Sequence, residues 1–513
     1  MMARGSALLS VLVIITVGSI IGLGVLSLGS AAESASARSL DRLTARAAAW
    51  SGVQAAMAEL SAQREALLAG ELPVLSPRHE IEKGRGRSLV ARLVPLGRPQ
   101  ESVGGEPILA ESENAKLDLS RVTAEMLVSA CGLEAEVAGA IAGRGGRPWS
   151  SVEELATVPG LSLRRLYVGE AGARPRVGGA ASPEGSGEAN GAGVEEGDRL
   201  ALVSLLTAFS FDPNVQQGVA GSEEHAGKVR VNINVPWSDE LGKAVDERFG
   251  AGSAAALKGI MDNKTALDSE ESLVGALRVF GVPKDRWPAI LDALTTRDDL
   301  FVPGRVDLNL ASARTLAALP GFTREAAEGV VRERAKLSAT QRASITWPLT
   351  AGLLTDEQFQ QAAGWLTTRS MQWRVRVEAG FESEESPEAE LGSRVVFDVV
   401  LDVADRTPRV AYMREVTHLG VALAMQERAA AEAARREAES PVEPLVIEEA
   451  PPPPASDLGG LDLGSGLDLG RMELDGPEGV SGPASGAEET TGAGGGTMMD
   501  RRTGRWKAGG GVR

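Results

Sequence analysis

From Ala7 to Leu28 the chain runs 22 residues without a charge. As a helix that run is about 33 Å long, enough to cross a bilayer. Only Met1 to Gly5 precede it, and Arg4 favours a cytoplasmic N-terminus. A secretory signal peptide would have a shorter apolar core and an Ala-x-Ala-like cleavage site. Beyond the run, residues 31–69 hold no proline and little glycine. Apolar side chains recur there at Leu40, Leu43, Ala47, Trp50, Val53, Met57 and Leu60, the spacing of one helical face, with Arg42, Arg46, Glu59 and Arg64 between them. The pattern predicts one helix of about 60 residues, roughly 90 Å long. Its first half crosses the membrane and its second packs through this stripe on a sheet. Gly18 and Gly22 form a Gly-x-x-x-Gly step, which suits close packing against partner helices in lipid.

Further on, the pattern repeats. KLDLSRVTAEMLVSACGLEAEVAGAI starts at Lys116 and RVDLNLASARTLAALPGFTREAAEGVV at Arg305. At one constant offset Asp118 matches Asp307, Leu127 matches Leu316, Gly132 matches Gly321 and Ile141 matches Val330. A partial copy, VNINVPWSDEL, aligns Asn232 with Asp118 and Leu241 with Leu127. Each copy reads as a short strand ending in Asp/Asn-x-Ser/Asn, whose polar side chains take up the free N–H groups of a helix start. The first helix then stops at a glycine suited to a left-handed cap, and a second helix follows. These are helix–hairpin–helix units, with half-units at Glu154–Leu166 and Leu277–Leu294.

Period-two alternation with β-branched residues marks strands at Ser88–Leu96, Met371–Glu378, Arg394–Val403 and Arg409–Val416. They read as an antiparallel sheet with one wet face, on which Asp398, Asp402 and Asp405 lie. The helical repeats are then an insertion between strands. Residues 169–198 and the tail from about Glu437 are Gly-rich and poor in large apolar side chains, and are expected to be disordered.

A net charge of −17 argues against a nucleic-acid surface as the main function. Cys131 is the one cysteine, which excludes an intrachain disulfide and a thiolate metal cluster, and it reads as a small buried residue. No catalytic constellation stands out. His79, His225 and His418 are scattered, and the glycine turn at 143–147 lacks the phosphate-loop signature. The expected cofactor and metal content is none; the alternative is a calcium ion at Asp298 and Asp299.

Taken together, these motifs resemble the K-type minor pseudopilin of the type II secretion system (general secretion pathway protein K). Arg4-Gly5-Ser6-Ala7-Leu8-Leu9 is similar to that family's leader junction. Glu113–Ser120 occupies the place of its Asp-Glu-x-x-Lys-Ile-Asn-Leu-Asn segment, and Val306–Ser312 that of its Val-Asn-Leu-Asn-x-Ala-Ser motif. An Asp-Trp-x-Asp-like segment of the family is only dimly echoed by Thr295–Asp299.

The resemblance implies an α+β fold: a pilin-like long N-terminal helix on a small antiparallel sheet, with a large helix–hairpin–helix (SAM-like) insertion. The expected divisions are a leader at 1–5, the long helix at 6–70, a first head segment at 71–111, and insertion segments at 112–168 and 199–369 around the 169–198 linker. Head strands at 370–425 and a tail at 426–513 complete them. It implies cleavage by prepilin peptidase between Gly5 and Ser6. Ser10 then stands where most pilin-like subunits carry a glutamate. The implied protein is non-enzymatic. It initiates and caps the tip of the secretion pseudopilus, anchored in the inner membrane with its head in the periplasm. The implied partners are the I- and J-type minor pseudopilins, the major pseudopilin and the inner-membrane secretion platform, with no nucleic acid. The alternative is a membrane-anchored helix–hairpin–helix DNA receptor of the competence type, which would have a basic head and Gly-x-Gly hairpins.

Overall fold

A computed structural model describes residues 3–419, except 85, 97–107, 145–147, 168–169, 172–197, 200, 220, 264–266 and 386–389, together with 498–500 and 505–507. The expected disordered linker and tail lie almost wholly outside the described residues. The chain divides into two compact units, Met1–Ala424 and Met425–Arg513. Of the second, the described part is an antiparallel pair of strands, Met498–Asp500 with Arg505–Lys507.

The first unit is α+β. Helix α1, Ala3–Ala62, is 60 residues long. It begins inside the expected leader and ends earlier than residue 70, where a turn at Gln63 leads into the short helix α2, Arg64–Leu68. Among the described residues it is the one helix long and apolar enough to cross a membrane.

The sheet has six strands: β1 (Arg78–Lys83), β2 (Arg87–Val94), β3 (Ala110–Ser112), β4 (Gln372–Ser383), β5 (Gly392–Asp402) and β6 (Arg409–Glu415). Its order is β1-β2-β4-β5-β6, and β3 also pairs with β4; every pairing is antiparallel. Residues 113–371, whose longer described elements are helices, lie in sequence between β3 and β4.

The lower half of α1 lies on one face of this sheet, through only the second part of the predicted stripe: Val53 and Leu60 are buried and Met57 packs against the same core, but the first part faces away. Leu40, Leu43 and Trp50 are 65%, 62% and 43% exposed, and Ala47 is exposed as well. The buried face is Ala45, Ala48, Ala49, Gly52, Val53, Ala56 and Leu60, packed against Ala91, Val377, Phe397 and Val399. Close approach selects it. A Cβ at Gly52 would stand 2.6 Å from Ala91 Cβ and 2.9 Å from Val377 Cγ1. Only small side chains let helix and sheet come that near.

The opposite sheet face is wet only in part: Arg394 and Arg414 are exposed, but its middle is covered by Glu113, Phe209 and Phe211. Gln372, Arg374, Asp398 and Asp402 are all buried, with Asp398 bound to Arg374 and Asp402 to Gln372 and Arg409. Asp405 alone of the three aspartates is exposed.

The helical region has its own apolar core, separate from the α1–sheet core, and Leu127, Leu155, Leu206, Trp287, Leu316 and Phe359 lie in it. Cys131 is buried there, and burial pushes its thiol up to about 12.

Candidate functional site

Three modules of one design build the helical region. Each opens and closes with a two-residue strand, and the two strands pair in parallel. Leu117–Asp118 pairs with Leu206–Thr207, Val231–Asn232 with Leu294–Thr295, and Val306–Asp307 with Leu366–Thr367. Parallel neighbours need a long crossover, and the helices supply it. In each, the residue after the Asp or Asn donates its N–H to the closing threonine's carbonyl: Leu119 to Thr207 at 2.8 Å, Ile233 to Thr295 at 2.9 Å and Leu308 to Thr367 at 2.9 Å.

The strand-end Asp or Asn does not cap the helix, contrary to the sequence reading. Its Oδ1 accepts from the backbone N–H two residues on: Ser120, Asn234 and Asn309, each at 2.8 Å. This is an Asx turn. The caps come later. Thr123, Ser238 and Ser312 accept from the N–H groups of Met126, Leu241 and Thr315. The second oxygen, or the amide, reaches the residue three beyond the closing threonine. Ser210 N–H donates to Asp118, Ser370 Oγ–H donates to Asp307, and Asn232 Nδ2–H donates to Asp298. Thr295–Asp299, read as a faint family echo, is therefore a closing strand and its turn. The sequence signal missed was the thrice-repeated Leu-Thr with Ser, Asp and Ser three residues later.

Gly132 and Gly321 in the two full copies, and Gly160 and Gly281 within the half-units, all have positive φ. At one tip Val279 and Phe280 are exposed. The half-unit at Glu154–Leu166 opens with a 3₁₀ helix, Val152–Thr157.

Two buried ionic clusters tie the helical region together, and the first reaches the sheet through Arg374. In the first, Glu113 Oε1 accepts from Arg374 Nε at 2.7 Å and Lys116 Nζ at 3.1 Å, while its other oxygen accepts from Thr207 Oγ1–H. Burial pushes the Glu113 carboxyl up, but Arg374 and Lys116 outweigh it and hold the group at about 2. In the second, Asp212 meets Arg369 at 2.8 Å, Arg305 at 3.0 Å and Arg230 at 3.7 Å. Burial is again outweighed, and Asp212 sits at about 2. Asp307 is different. Burial dominates, the bonds from Ser370 and Asn309 only partly offset it, and its carboxyl rises to about 6. Paired carboxylates of this kind are structural, since each oxygen is engaged by a neighbour.

Among the described residues no group of three or more His, Cys, Asp or Glu side chains is placed to hold a metal. Asp298 and Asp299 are exposed, and Asp298 is bonded to Asn232.

The remaining sequence-derived sites lie on α1. The Gly5–Ser6 bond and Ser10 fall within its helical backbone, their side chains lying outside the described residues. At Gly18, Gly22 and Gly29 a Cβ would find no atom within 4 Å. From Val11 to Leu28 the large apolar side chains are exposed. Among the described residues this face has no partner. No family model matches the sequence, and no curated protein matches it.

Proposed function

We propose that this chain is a K-type minor pseudopilin of the type II secretion system, a non-enzymatic subunit that starts and caps the pseudopilus tip. The observation that carries the reading is the division of α1: its lower half is fixed to the sheet by small side chains, and its upper half projects bare and apolar. Such a helix serves one use well, insertion in a bilayer followed by packing among similar helices. The Arg4-Gly5-Ser6 junction supports the same reading, because it sits where polar leader gives way to apolar helix. In the reading, prepilin peptidase removes Met1–Gly5, the head faces the periplasm, and the I- and J-type and major pseudopilins are the partners.

Ser10 supports the tip position. A glutamate five residues into a mature pilin-like chain pairs with the ammonium group of the subunit ahead. Serine leaves that ammonium unpaired, at a cost in an apolar bundle. A subunit with none ahead of it meets no such charge. The bulk of three helical modules also favours an end over a tightly wound shaft.

The test is N-terminal sequencing of protein extracted from membranes of a cell with the secretion machinery. Ser6 as the first residue is expected. A start at Met1, or a cut near Ala31, overturns the reading.

A further inference from the structure

A cavity of about 230 Å³ opens between the loop after α2, the Asx turn of the third module, the short helix Ala339–Arg342 and Trp373 on β4. One water needs roughly 10–15 Å³ of such space, so this cavity is sized for a larger guest. The cavity beside Asp292 and Arg305 measures only about 30 Å³ and suits water.

The walls are held in place. Ala69 O accepts from Gln217 Nε2 at 2.9 Å, and Val74 exchanges two bonds with the Gln63 side chain, at 2.7 and 2.8 Å. The loop between them starts at Gly70, whose φ is +88° and whose added Cβ would stand 2.8 Å from Thr368 O, so only glycine fits there. On the module side Asn309 Nδ2 donates to Arg342 O and Thr368 O, both at 3.1 Å, which fixes the direction of the amide. Among the described residues the buried atoms Asn309 Oδ1, Arg342 Nε and Trp373 Nε1 have no hydrogen-bond partner, and all three residues line the cavity. Trp373 is 2% exposed. A buried polar group without a partner costs free energy, so three at one cavity point to a guest that supplies the partners.

The chemistry of that guest follows from the walls. It offers an N–H to Asn309 Oδ1 and an oxygen to the N–H groups of Trp373 and Arg342. Charge selects against an ion. Asp307 and Glu71 line the cavity with Arg342, and Arg334 stands near Asp307, so the signs balance. Leu72, Leu310 and Ala339 supply an apolar wall. A secondary amide has the required N–H and oxygen and carries no charge.

We propose that this cavity binds an uncharged secondary amide with an apolar substituent. Its N–H goes to Asn309, its carbonyl oxygen to Trp373 and Arg342, and its substituent to Leu72 and Leu310. A peptide unit beside an apolar side chain and the acetamido group of an amino sugar share this chemistry. The site stands apart from the anchor on α1, and the pseudopilin reading does not depend on it.

The experiment uses the full chain in phospholipid nanodiscs, with binding read by saturation-transfer difference NMR. The probe is N-acetyl-leucine methylamide. A Kd on the order of 1 mM is expected, with transfer to the leucine methyls. The analogue methylated on both amide nitrogens has no N–H and should bind about tenfold more weakly. Arg342→Gln and Trp373→Phe should each weaken the parent probe about five- to tenfold. Arg342→Gln keeps the backbone carbonyl that holds Asn309, so it tests the site even where Trp373→Phe disturbs the sheet core. N-acetylglucosamine separates the two sources. Tighter binding than the leucine probe, with the same dependence on Arg342, assigns the amino sugar; weaker binding assigns the peptide. No saturable binding of either probe at tenfold the expected Kd shows that water alone fills the cavity, and overturns the proposal. Binding that ignores both variants and N-methylation also overturns it, as does tighter binding of N-acetyl-leucine with its free carboxylate.

Discussion

Gly52→Ala is the sharpest test of how α1 is fixed to its sheet. In a free helix the change is favourable by about 1 kcal/mol, since alanine is the better helix former. Here the new Cβ would stand 2.6 Å from Ala91 Cβ and 2.9 Å from Val377 Cγ1. Neither neighbour can swing away. Ala91 has no rotamer, and both are fully buried, Ala91 on β2 and Val377 on β4. The helix must therefore lift from the sheet by several tenths of an ångström, thinning the contact from Ala45 to Leu60. Overpacking of this kind costs about 1–3 kcal/mol, which outweighs the propensity gain and leaves a net loss of about 1 kcal/mol. The assay is urea unfolding of the detergent-solubilised chain, followed by circular dichroism. Ala91→Gly removes the nearer atom. Alone it destabilises, because it takes a buried methyl from the sheet. Combined with Gly52→Ala it should show a favourable coupling of about 1 kcal/mol in the double-mutant cycle. A Gly52→Ala variant more stable than wild type, with no coupling to Ala91→Gly, would refute the close-packing argument.

Two further outcomes test the buried charges. Asp307 has a folded pKa of about 6 against a reference value of 3.8, so the stability it contributes is complete below about pH 4 and is lost as pH rises through 6, by at most about 3 kcal/mol. Asp307→Asn, which keeps an Oδ1 for the Asn309 N–H, should remove that decline; unfolding midpoints that fall equally from pH 4 to pH 8 in both proteins would contradict it. Arg374→Met strips Glu113 and Asp398 of their shared partner and should destabilise by about 3–5 kcal/mol, with part regained when Glu113→Gln and Asp398→Asn are added. A single-variant loss below about 1 kcal/mol would show that the cluster is hydrated rather than buried.

Part of this architecture is legible in the sequence, and the illegible parts share a physical cause. Alternation places β2, β4, β5 and β6 within a few residues, because a strand's side-chain period does not depend on what covers it. For the same reason alternation cannot tell a wet face from an ionic one. Arg374, Asp398 and Asp402 look like solvent positions until the helical modules are set against them. On α1 the error runs the other way. Weighting by hydrophobicity selects Leu40, Leu43 and Trp50, whereas the sheet selects Ala45, Ala48, Ala49 and Gly52 for their small size. The closing strands are missed because Leu-Thr is too short to register as a strand. Only its recurrence with the polar residue three positions later identifies it.

Comparison of the three modules shows which part of their shared geometry is required. All three keep an Oδ1 at the end of the opening strand, bonded at 2.8 Å to the N–H two residues on. They do not all keep a charge there. Modules one and three have buried aspartates, both raised in pKa by burial. The middle module has Asn232, and its carboxylate lies instead on the closing side at Asp298, which is exposed. The turn thus needs an acceptor, and the cross-strand contact needs one donor and one acceptor; which side carries the acid is free. A charge left in the buried position is a cost that the fold tolerates at Asp118 and Asp307 without needing it for the turn. By the same reasoning Asn232→Asp should be the harmful exchange, since it sets two carboxylates at the contact that Asn232 Nδ2 now makes with Asp298. Loss of stability above about pH 5, recovered on adding Asp298→Ser to reproduce the Ser370–Asp307 pairing of module three, is the expected result. A variant unaffected by pH would show that the exposed contact is too well hydrated to matter.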